Sequence, residues 1–207
     1  MPVELLMQGA LSGFAIAAPV GPINCLCIRR TLADGFGNGL ASGLGAAVAD
    51  TLFGAIAAFG VASVMAFLIR WEGLISLVGG AILLGIGVRN LLSAPPADDG
   101  RGAGLGVFGA FASTFGLTLA NPMTVLSFLA VFAALGAGVQ GFTAASILVA
   151  GVFLGSAAWW LGLSGTVIAI RHSLSEQALV RINRGAAIAI LAFGAWALFR
   201  AGKLLSD

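Results

Sequence analysis

The chain has 207 residues, enough for one or two domains of ordinary size. Hydrophobic residues make up 59% of it and 31 residues are glycine, while charged residues reach only 9%, against roughly 25% in a typical soluble domain. No globular fold of this size hides that much apolar surface and keeps a wettable exterior. Soluble enzyme folds, coiled coils and intrinsic disorder are therefore excluded, and the chain reads as an all-α integral membrane protein that has the lipid bilayer as a partner. The net charge of +2 is carried by scattered single and paired basic residues, so nucleic acid is excluded as a partner.

A spanning helix needs about 20 mostly apolar residues. Six stretches qualify: 5–28, 39–62, 74–92, 107–136, 142–170 and 185–204. The first carries Glu4, lacks a basic leader and runs on through two prolines. It reads as a retained span and not as a cleaved signal peptide. Within it, Ala18-Pro19-Val20-Gly21-Pro22 removes two N–H donors and one side chain over four residues. A helix broken near mid-membrane must line a cavity or bury against protein, because lipid satisfies no backbone group. Such a break offers carbonyls on one side, suited to an ammonium or Na⁺, and half-helix N–H groups on the other, suited to a carboxylate. Asn24 follows the break and can bond an exposed backbone or a zwitterion. Cys25 and Cys27 stand two apart on one helix, point to different faces and make no disulfide framework.

The second span holds Asp50, near its middle and far from any basic residue of the same stretch. A carboxylate at that depth costs about 2.5–3.5 kcal/mol on insertion scales. Its helical neighbours Gly43, Ala46, Ala47, Gly54 and Ala57 form a small-residue stripe that another helix or a wet pocket can approach. With no cation to pair with, this carboxyl is expected to take up and release a proton. After the third span, residues 93–105, with Pro95, Pro96, Asp98, Asp99, Gly100 and Gly102, have the composition of a linker. The fourth span is interrupted in turn, at Leu119-Ala120-Asn121-Pro122.

In the fifth span, Gly151 through Ser156 repeats the spacing of Gly45 through Asp50, which puts Ser156 where the first half has Asp50. Trp160 lies one turn after Ser156 on the same face, able to meet a cation through its ring. Trp159 is also mid-helix, whereas Trp71 and Trp196 stand beside charged ends as interfacial anchors. Gly9/Gly13, Gly39/Gly43 and Gly151/Gly155 have the small-xxx-small spacing of close helix contacts. These contacts serve packing within a chain or between chains, so a homo-oligomer stays open. Gly162-Leu163-Ser164-Gly165 has the form found around the nucleophile of intramembrane rhomboid proteases. The one histidine, His172, ends the same helix and is in the wrong place to act as its base. His172 also has no ligand neighbours at metal spacing, so neither a metal nor a cofactor is expected, nor is an enzyme.

The linker divides the chain into a first three-helix block over 1–92, the linker 93–105, and a second block over 106–207. An odd number of spans per block makes the two enter the membrane from opposite sides, the arithmetic of an inverted repeat with its first helices broken. Orientation follows the basic residues: Arg29, Arg30, Arg89, Arg101, Arg171, Arg181 and Arg184 lie in loops 1–2, 3–4 and 5–6, against Arg70, Arg200 and Lys203 on the other side. Those three loops are thereby expected in the cytoplasm.

The run Pro19-Val20-Gly21-Pro22-Ile23-Asn24, then Arg29-Arg30, then Gly35, Gly39, Gly43, Gly45 and Asp50, resembles the lysine-exporter (LysE-type) translocator family. The Asn121-Pro122 pair is similar to that family's second signature. The resemblance covers nearly the whole chain and is more specific in the first block. It implies a bacterial inner-membrane exporter of amino acids or related small solutes, driven by the proton gradient or membrane potential, with Pro19, Gly21, Pro22, Asp50, Asn121 and Pro122 at signature positions. Members of the family often carry a lysine after the Asn-Pro pair, where this chain has Met123. The expected site joins Asp50, Pro19, Gly21, Pro22, Asn24, Asn121, Pro122, Ser156 and Trp160 around a solute and a proton. Two rival readings share a six-helix scaffold. A thiol–disulfide electron carrier needs a cysteine in each block, and both cysteines here are in the first. An ion or metal exporter needs several ligands at mid-membrane, and Asp50 is the one clearly available.

Overall fold

The computed structural model describes residues 2–19, 21–59, 67, 69–92, 106–121, 124, 127–128, 141–171, 173 and 175–206. The linker 93–105, Pro122, Met123 and His172 lie outside the described residues. Among the described residues there are seven helices and no strand: α1 (Pro2–Ala17), α2 (Pro22–Asp34), α3 (Phe36–Ala58), α4 (Glu72–Leu92), α5 (Gly106–Leu119), α6 (Phe142–Arg171) and α7 (Glu176–Ser206).

Four helices are each long and apolar enough to cross a bilayer: α3, α4, α6 and the Gln177–Leu205 part of α7. The expected first span is a bent pair. α1 and α2 pass the same test together but meet at 80° across the Ala18–Gly21 break. At 30 residues, α6 is about 45 Å long, more than the hydrocarbon core requires. The expected fourth span is represented by the 14-residue α5, which stops at Leu119, and most of its remainder lies outside the described residues. The expected sixth span starts earlier than residue 185. α7 already runs from Glu176, because Arg181 and Arg184 are exposed on its first turns, where charge lowers the hydropathy without breaking the helix.

The break between α1 and α2 follows from its residues. Pro22 occupies the first position of α2, where its missing N–H costs nothing and its fixed φ suits the helix. Gly21, at φ −139°, precedes it as an extended N-cap. At the other end of α2, Gly35 takes φ +87°, a conformation open to glycine, and reverses the chain into α3 within one residue.

The helices pack through glycine. α1 lies on α6, and the Gly9/Gly13 and Gly151/Gly155 pairs make one seam. A Cβ on Gly9 or Gly13 would strike the carbonyls of Leu148 and Val152, and one on Gly151 or Gly155 those of Leu6 and Ala10. Gly45 of α3 meets the Phe111 carbonyl of α5 in the same manner. α3 also packs on α6, α4 on α7, and α2 lies between α3 and α7. Backbones in such contact gain dispersion and forfeit little side-chain entropy, which drives association where lipid is as apolar as leucine.

Candidate functional site

Beside the α1–α2 break, α3 and α6 bring together the two residues that the repeat spacing paired. The Ser156 hydroxyl donates to Asp50 Oδ2 at 2.7 Å, and the Trp160 indole N–H donates to Ser156 Oγ at 3.2 Å. All three are buried, with Asp50 only 3% exposed. The small-residue stripe around Asp50 faces this partner helix. Gly43 abuts the Trp160 side chain, and Gly54 abuts Val152.

Asn24 completes the first break from the other side. Its Nδ2 donates to the carbonyls of Ala17 (3.2 Å) and Pro19 (2.9 Å), and its Oδ1 accepts from the Trp159 indole N–H at 3.0 Å. The amide thus replaces donors that the interrupted helix cannot supply, and it ties the break to α6. Trp159 is further held by an edge-to-face contact with Phe14 of α1, ring centroids 5.3 Å apart. At the second break, Asn121 N–H donates to the Thr118 carbonyl at 3.2 Å, and the Asn121 carbonyl accepts from Thr124 N–H at 3.1 Å. These are the tight turns that close the carboxyl end of α5.

A cavity of about 160 Å³ lies between the two breaks. By the same measure a single water needs roughly 10–15 Å³. Pro19, Gly21, Pro22 and Asn24 line it from the first break, Ala120 and Asn121 from the second, Asp50 from α3, and Trp160 from α6. Of the expected site residues, Ser156 is not in the wall. It stands behind it, fully buried, bonded to Asp50. Pro122 lies outside the described residues. Trp196, read as an interfacial anchor, lines the cavity with Phe193 and Ala197 of α7.

One buried cation corrects the sequence reading. Arg30, assigned above to a cytoplasmic loop, belongs to α2, which continues to Asp34, and is only 8% exposed. One of its terminal nitrogens donates to Ser42 Oγ (2.8 Å), Thr114 Oγ1 (2.8 Å) and the Ala110 carbonyl (3.0 Å), and the other to Ser113 Oγ (2.9 Å). A planar fork serves acceptors on α3 and α5 at once, a task that suits arginine. The signal for it was the hydroxyl set Ser42, Ser113 and Thr114 on otherwise apolar helices. Ser164, of the rhomboid-like motif, is buried with no hydrogen-bond partner for its hydroxyl and does not line the cavity. No group of three or more metal-ligating side chains occurs among the described residues.

Apolar helices in this number, closely packed through glycine around an acidic pocket, define a multi-pass membrane protein. The sequence model of the LysE type translocator family matches residues 14–200, and the chain belongs to that family. It is similar to the "Putative amino acid efflux protein YcgF" of Bacillus subtilis (strain 168), 27% identical over an alignment of 203 positions, with 93% of this chain and 94% of the relative covered. No solved structure matches the chain.

Proposed function

We propose that this translocator is a secondary transporter of the bacterial inner membrane that exports amino acids or related small solutes in exchange for protons. The observation that carries the reading is the buried Asp50 carboxyl on the wall of a cavity bounded by the α1–α2 break and the carboxyl end of α5. Family membership and the efflux name of the Bacillus relative support the solute class. The solute's ammonium faces Asp50, and its carboxylate faces the amino end of α2, where the helix dipole is positive.

The moving parts are two inverted three-span blocks, residues 1–92 and 106–207, joined by the linker 93–105. Exchange symmetry among the contacts supports this division. Asp50 bonds Ser156, its counterpart by spacing. The packing of α1 on α6 mirrors that of α5 on α3, since Gly151 fits between the Leu6 carbonyl and Ala10 N–H as Gly45 fits between the Phe111 carbonyl and Phe115 N–H. α4 and α7 cross where Gly80 and Gly194 face each other's carbonyls. Loops 1–2, 3–4 and 5–6 are cytoplasmic, a bias that survives at five against three when Arg29 and Arg30, both within α2, leave the loop count.

In the cycle, Asp50 takes up a proton from outside and gives it up inside as the solute leaves. One proton crossing 100 mV supplies about 2.3 kcal/mol, enough for roughly a fifty-fold concentration ratio. Asp50→Asn tests this in proteoliposomes. The variant is expected to insert normally and to lose export driven by a pH gradient; full driven export by the variant at matched protein amounts contradicts the coupling role.

A further inference from the structure

We propose that the cavity selects a zwitterionic amino acid with an apolar side chain and rejects dibasic and acidic ones, despite the family's association with lysine. The inference rests on the export reading above and narrows its substrate. It comes from what the wall contains. Asp50 is the only charged residue among the described residues that line the cavity. The polar remainder is amide and hydroxyl, from Asn24, Asn121, Thr118, Thr124 and Ser127. The rest of the lining is apolar and includes the bulky side chains of Leu83, Leu117, Trp160, Phe193 and Trp196.

A zwitterion matches this inventory. Its ammonium takes Asp50, its carboxylate takes the positive amino end of α2, and an apolar side chain removes its surface from water against leucine and aromatic rings. A lysine side chain brings a second ammonium with no second carboxylate to meet it. The aromatic faces offset part of that loss, but a cation stripped of water in a low-dielectric site needs a counter-charge. A glutamate side chain brings a second carboxylate where the described residues of the lining include no cation. The nearby buried cation, Arg30, is absent from the wall, and its guanidinium is occupied by Ser42, Ser113, Thr114 and the Ala110 carbonyl. Selectivity here is built from the charges the site lacks.

The test is counterflow in proteoliposomes at neutral pH, without a gradient, using labelled leucine, phenylalanine, lysine and glutamate in turn. Leucine and phenylalanine are expected to exchange, with lysine and glutamate at least about tenfold slower. A gain-of-function variant sharpens the test. Thr118→Asp adds a second acid to the wall and is expected to raise the lysine-to-leucine ratio. Lysine or glutamate exchanging as fast as leucine overturns the selectivity and leaves amino-acid transport standing. An unchanged lysine-to-leucine ratio in folded Thr118→Asp protein also overturns it. Exchange of none of the four removes the transport reading itself, and this inference with it.

Discussion

The bond between Asn24 and Trp159 gives a quantitative handle on the first helix break. Asn24→Leu keeps the side-chain volume and removes both donations to the Ala17 and Pro19 carbonyls and the acceptance from Trp159. Hydrogen bonds in membrane proteins average about 0.6 kcal/mol by double-mutant cycles, so three amount to roughly 2 kcal/mol. The loss is larger if the freed groups stay dry, since an orphaned buried polar group costs about 1–3 kcal/mol. Trp159→Phe removes only the indole donor and keeps a ring against Phe14. Equilibrium unfolding in mixed micelles, followed by far-ultraviolet circular dichroism, gives the four corners of a double-mutant cycle. The geometry predicts a coupling of about 0.5–1.5 kcal/mol between the two positions. Strict additivity, within about 0.3 kcal/mol, would refute the claim that α6 holds the break in shape through this amide.

Three further outcomes follow from the packing. Gly155→Ala drives a methyl into the Ala10 backbone and should cost about 1–3 kcal/mol in the same unfolding assay, whereas Gly85→Ala, with nothing within 4 Å, should stay within about 0.5 kcal/mol of the parent. Arg30→Met should be milder than Arg30→Ala. Ser42, Ser113 and Thr114 each already donate their own proton to a carbonyl one turn back, so a long apolar chain leaves them satisfied, while alanine adds a void; equal losses of stability would contradict this. Replacing Cys25 and Cys27 together by alanine should leave counterflow rates intact, and loss of a thiol-dependent activity would instead revive the electron-carrier reading.

Much of the arrangement was legible in the residues because membranes narrow the choices. Prolines 19 and 22 around Gly21 could only mark an interruption, and an unpaired Asp50 on a small-residue stripe could only face protein or water. The repeat spacing even paired Asp50 with Ser156, which the structure joins by a hydrogen bond. Other features depended on direction, which composition does not carry. The 80° bend at the break turns α2 away from the line of α1, and that turn takes Arg30 from a supposed loop into contact with α3 and α5. Two adjacent arginines after an apolar run look the same in sequence whether the helix ends there or runs on. Trp196 keeps the exposure and the Arg200 contact of an interfacial anchor and also lines the cavity, a second role that its sequence position does not announce. The bond from Trp159 to Asn24 spans 135 residues, and no local pattern announces it.

The most direct measurement is thiol labelling of Ser127→Cys, a near-isosteric change in the cavity wall, in a protein whose native cysteines are replaced by alanine. A membrane-impermeant reagent applied separately to each face of oriented vesicles should modify it from both sides, and the transported amino acid should protect it. A thiol that stays unreactive from both sides, or reacts from one side alone whatever the solute, would mean that the pocket between the α1–α2 break and the end of α5 is not a passage.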